Sequence, residues 1–118
     1  MKVYISGPIT GRENGNREAF AAAATYVERE GGEAVNPHEL NHQHGGTWAE
    51  YMRVDLRALT ECDSVFMLEG WQDSKGSVIE LQTAISLGLS IEFQNEFTKG
   101  FCPACMALMD SFEEVGHE

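Results

Sequence analysis

Short β-type apolar runs alternate with longer helix-periodic segments along the chain, and this alternation predicts an α/β fold with a parallel sheet of four or five strands. The run Ser64–Leu68 strengthens that reading. Apart from Ser64 it is apolar on both faces, as a strand at the centre of a parallel sheet is. The 118 residues make one domain, and 42% apolar with 23% charged side chains are the proportions of a globular chain rather than a disordered one.

Taken in order, Lys2–Ser6 is the first strand, ended by Gly7-Pro8. Asn14–Glu30 follows as a helix whose Phe20, Ala23, Ala24 and Val27 share one stripe, with Gly31-Gly32 as its stop signal. Glu33–Val35 is a minimal second strand before Asn36-Pro37. The segment from Pro37 to Gly46, with His38, His42, His44 and two glycines, is a loop. Thr47 opens the middle helix with a capping box closed by Glu50, and that helix runs to about Cys62. Ser64–Leu68 is the third strand. A polar turn, Glu69–Lys75, leads to a helix over Ser77–Leu87, stopped by Gly88, and Ser90–Phe93 is the fourth strand. The order β-α-β-α-β-α-β requires right-handed crossovers with helices on both faces. The expected architecture is therefore a three-layer, Rossmann-like (flavodoxin-like) domain over residues 1–93. Residues 94–118 form a C-terminal extension with a short helix expected from about Pro103, then an acidic tail. Ligands bind such sheets at the carboxyl ends of the strands, so a site is expected in the loops after Ile5, Val35 and Leu68.

Charge narrows the partners. Lys and Arg total 8 against 19 Asp and Glu, a net charge of −11, which argues against a nucleic-acid polymer or an anionic membrane. A mononucleotide stays open, because a few backbone N–H groups and one hydroxyl can hold a single phosphate. No apolar run approaches the roughly 20 residues that span a bilayer, and the N-terminal run breaks too early for a secretory signal. Three cysteines, Cys62, Cys102 and Cys105, fit reduced thiols better than a disulfide framework. A cytoplasmic protein is expected.

Asp55 is the most informative side chain. Trp48, Tyr51, Met52, Leu56, Ala58, Leu59 and Cys62 form one stripe of the middle helix, and Asp55 falls inside it. A carboxylate buried there needs partners or a wet cleft. It is either a structural Asp bonded to backbone N–H groups or a functional one. Glu80 has two readings as well. Ser77-Val78-Ile79-Glu80 is a capping-box pattern, and the same geometry places a carboxylate in a first helical turn just past Leu68, where the helix dipole would keep it ionised as a nucleophile. Ser6-Gly7-Pro8-Ile9-Thr10-Gly11 is a turn able to approach a phosphate or sugar, but it matches neither a dinucleotide fingerprint nor a P-loop. Tyr4, inside the first strand, reads as a core residue. The histidine loop and the single Cys102-Pro103-Ala104-Cys105 motif lack the second pair that a zinc site wants.

Together these residues resemble the nucleoside 2-deoxyribosyltransferase superfamily, which includes the 2′-deoxynucleoside 5′-phosphate N-glycosidases and a branch of small, often phage-encoded proteins. Three elements over about residues 2–93 carry the resemblance. They are Tyr4-Ile5-Ser6-Gly7-Pro8-Ile9-Thr10-Gly11, then Tyr51-Met52-Arg53-Val54-Asp55-Leu56, then Cys62-Asp63-Ser64-Val65 paired with Ser74-Lys75-Gly76-Ser77-Val78-Ile79-Glu80. The resemblance implies a retaining displacement at an N-glycosidic bond, with Glu80 as nucleophile. It makes Asp55 the group that bonds or protonates the leaving base, its pKa raised by the apolar helix face. Tyr4 would orient Glu80, while Gly7, Pro8 and Ile9, with Ser74 and Gly76, would hold the sugar and any 5′-phosphate. Thr10 stands where phosphate-preferring relatives carry arginine, with Arg12 two residues on, and Ser74 where relatives that favour free nucleosides often carry Asp. The implied ligand is a small nucleoside or nucleotide, with no cofactor and no metal, and the implied assembly is a homodimer or higher homo-oligomer. Two rivals stand beside this enzyme: a non-catalytic nucleotide-binding or sensing module on the same scaffold, and a small metal-binding interaction protein using the histidine loop and Cys102/Cys105.

Overall fold

A computed structural model of the protein describes residues 1–42 and 45–95. The expected extension helix with Cys102 and Cys105, and His44 of the histidine loop, lie outside the described residues. Four parallel strands, β1 (Lys2–Ser6), β2 (Glu33–Val35), β3 (Ser64–Met67) and β4 (Ser90–Phe93), form one sheet in the order β2-β1-β3-β4. Three helices connect them: α1 (Arg17–Arg29), α2 (Trp48–Thr60) and α3 (Lys75–Ser86). This is the Rossmann-like α/β architecture that the alternating pattern predicts, with four strands among the described residues.

Alternation along β1 and β3 divides the core. Ile5, Phe66 and Leu68 pack against Phe20 and Ala23 of α1 on one side of the sheet. Tyr4, Val65 and Met67 face the other way, onto Leu59 of α2 and Leu81, Ala84 and Ile85 of α3. β3 is buried at every residue, as its unbroken apolar run requires. Its register against β1 is pinned at the start, where Asp63 Oδ2 accepts the Lys2 backbone N–H at 2.8 Å and the Asp63 N–H donates to the Lys2 carbonyl at 2.9 Å.

Two helix starts differ from expectation. α1 begins at Arg17 rather than Asn14, because Asn14, Gly15 and Asn16 each hold a left-handed backbone, with φ of 52°, 61° and 63°. Asparagine and glycine tolerate that region best, so their clustering makes a turn and not a first helical turn. α3 begins at Lys75 rather than Ser77. Ser74 is its N-cap, accepting the Ser77 N–H at 3.2 Å, so the supposed Ser77–Glu80 capping box does not form. The Thr47–Glu50 box does form, with both bonds present. Among the described residues no helix is long and apolar enough to cross a membrane.

Candidate active site

The turn after β1, the start of α3 and the first two turns of α2 meet at the carboxyl ends of β1 and β3, where a ligand cleft is expected in such a sheet. They enclose a cleft of about 580 Å³, inside the roughly 300–1,000 Å³ usual for small-molecule sites. Glu80 projects into it from the second turn of α3, and Asp55 from the buried side of α2. Tyr4 and Ser6, two residues apart on β1, point to the same face of the sheet and reach Glu80 from below.

The Glu80 carboxylate is 5% exposed and bonded at both oxygens. Tyr4 donates its hydroxyl to Oε2 at 2.6 Å, and Ser6 donates its own to Oε1 at 2.6 Å. Two hydroxyl donors favour the charged carboxylate. Burial opposes them more strongly, and with the nearby Asp55 charge it lifts the Glu80 carboxyl to about 7. Among the described residues no Lys or Arg forms an ion pair with Glu80 to offset this. Burial and the Glu80 charge in turn drive the Tyr4 hydroxyl well above its ordinary value, so Tyr4 remains a donor.

Asp55 accepts a 2.7 Å bond at Oδ1 from Nε2 of His42. Burial raises the Asp55 carboxyl, and the His42 bond pulls part of that rise back. The His42 ring packs edge-on against Tyr51, with centroids 5.1 Å apart. His38 donates Nε2–H to the Gly15 carbonyl at 2.8 Å and meets Phe20 edge-on at 4.8 Å. The histidine loop thus lines the cleft with two imidazoles already committed to other groups. Among the described residues no three His, Cys, Asp or Glu side chains are grouped to hold a metal ion.

Residues 1–93 match the family described as a domain of unknown function, DUF4406. The chain belongs to that family. No curated protein matches it.

Within this DUF4406 domain the cleft gathers most of the residues singled out in the sequence: Tyr4, Gly7, Ile9, Asp55, Ser74, Gly76 and Glu80 all line it. Pro8 is the exception; it is buried beside Gly70 rather than on the cleft wall. Neither plain structural reading of the two carboxylates holds. Asp55 is bonded to a histidine and not to backbone N–H groups, and Glu80 closes no helix end. Burial lifts the Glu80 carboxyl, against the ionised state expected of a carboxylate held by the start of α3. Arg17 lines the cleft, whereas Arg12 pairs with Asp73 at 3.6 Å. Two contacts of these carboxylates escaped the sequence reading: Ser6 as a partner of Glu80, and His42 as a partner of Asp55. Strand alternation alone could have found Ser6, since it shares a face with Tyr4. Nothing in the sequence marks His42 over its neighbours His38 and His44.

Proposed function

We propose that this chain cleaves or transfers the N-glycosidic bond of a (deoxy)nucleoside or its 5′-monophosphate, with Glu80 as the nucleophile of a retaining displacement. The observation that carries the reading is the Glu80 carboxylate: buried, clamped at both oxygens by uncharged hydroxyls and turned toward the cleft that also holds Asp55. A glutamate meant only for packing or capping gains nothing from burial without a cation. The resemblance of the three sequence elements to the deoxyribosyltransferase superfamily supports the same assignment.

In the first step a Glu80 oxygen bonds to the anomeric carbon as the carbon–nitrogen bond breaks through an oxocarbenium-like transition state. The departing base takes the bonding pair and a proton from Asp55, whose raised pKa suits a general acid. In the second step a water attacks the same carbon, giving its proton to the Asp55 carboxylate and returning Glu80 to its ionised form. A second base in place of water makes the reaction a transfer. Glu80 must begin charged and Asp55 protonated, so the rate follows the pair and not either group alone.

Incubation with a panel of deoxynucleosides and their 5′-monophosphates, followed by chromatography for free base, tests the activity. A 2-deoxy-2-fluoro-arabinosyl analogue is then expected to leave a sugar-sized mass gain that peptide mapping places on Glu80. Adduct on Asp55 would exchange the two roles, and inverted products would make Glu80 a general base for water. Nucleotide binding with no base release from any substrate would make the protein a sensing module instead.

A further inference from the structure

We infer that Ser6 is a second positioning residue for Glu80, working beside Tyr4 to hold the carboxylate in its ionised, cleft-facing state. The inference rests on the nucleophile reading of Glu80 for its catalytic meaning, although the contact itself does not. Ser6 Oγ is 2.6 Å from Oε1, and the residue is 1% exposed. Tyr4 holds only Oε2. Without Ser6 the other oxygen loses the one hydroxyl donor it has among the described residues, and the carboxylate is held at Oε2 alone.

The surroundings leave this role to hydroxyls. Among the described residues the titratable groups that bear on Glu80 are Tyr4 from β1 and Asp55 from α2, with His42 bonded behind Asp55. Asp55 repels the charged form, and Tyr4 supports it through a hydrogen bond. Burial disfavours it most of all. Ser6 is the first of the opposing influences and Tyr4 the second, so the two β1 hydroxyls do the work that an arginine or lysine would do in a polar cleft. The register of β1 against β3 pairs Ser6 with Met67, fixing the Ser6 backbone, so only χ1 and the O–H rotation remain to aim the hydroxyl.

The test compares wild type with Ser6→Ala, Ser6→Cys and Ser6→Thr. Two readouts are followed against pH: kcat/KM for base release, and the Glu80 carboxyl signal in protein labelled with ¹³C-carboxyl glutamate, assigned by its loss in Glu80→Gln. Ser6→Ala is expected to move both midpoints upward by about one pH unit, a tenfold loss of activity on the acid limb. Ser6→Thr keeps the hydroxyl and is expected to restore the wild-type midpoint, and Ser6→Cys, close in volume but a weaker donor, to fall between. A folded Ser6→Ala or Ser6→Cys variant with an unmoved carboxyl midpoint overturns the inference. The two readouts separate it from the glycosidase reading. A moved midpoint in a protein that releases no base keeps the Ser6 contact and removes the enzyme; base release with an unmoved midpoint does the reverse.

Discussion

Burial pushes the Glu80 carboxyl up to about 7 against an ordinary 4.5, and that gap has a consequence for stability. Between those pH values the folded chain holds a proton that the unfolded chain has lost. The associated stability is complete below pH 4.5 and is lost as pH rises through 7. Glu80→Gln removes the dependence. Urea unfolding is expected to show the variant more stable than wild type at pH 8, by up to about 3 kcal/mol, with the difference closing below pH 5, while base release disappears. Asp55→Asn is expected to slow release of natural bases by about a hundredfold or more and to cost much less with a leaving group that departs without a proton, as paired rate measurements would show. Asp55 was legible because a carboxylate on an apolar stripe has to be explained. Glu80 was legible only through its motif, because a sequence does not say whether Ser74 or Ser77 caps the helix.

At the level of elements, the turn after β1 packs tightly against Leu68, the residue that follows β3. A Cβ placed on Gly7 would lie 2.7 Å from Leu68 Cδ1 and 2.8 Å from its Cβ, which is too near the backbone for the side chain to swing clear. Gly7→Ala is therefore expected to destabilise the fold by about 1–3 kcal/mol and to lower activity with it, measured by denaturation and base release on the same sample. Thr47→Ala, which removes a well-formed capping box on the exposed start of α2, is expected to cost about 1 kcal/mol and leave the Glu80 carboxyl midpoint where it is. These two elements also show where sequence reading succeeds. The Thr47 box is local chemistry, complete within four residues, so it is visible in the chain. The start of α1 is not, since Asn14 and Asn16 suit a cap and a left-handed turn equally well.

Across the whole molecule, a net charge of −11 on 118 residues sets up self-repulsion that salt relieves. Raising ionic strength from about 20 to about 150 mM is expected to raise the thermal midpoint by a few degrees, read by circular dichroism at fixed pH. The sheet order β2-β1-β3-β4 has a different kind of consequence, one of timing. Among the described residues no strand pairs with a hairpin neighbour, and β1 waits for β3 across the whole of α1, β2 and α2. Long-range pairing of this kind is slow compared with helix formation. The Glu80 clamp spans further still, joining residues 74 and 76 positions apart. A chain emerging from synthesis therefore has its strand hydroxyls ready long before the carboxylate they hold. The clamped carboxylate is assembled only when the sheet closes, so on the proposed function a half-folded chain has no nucleophile in place.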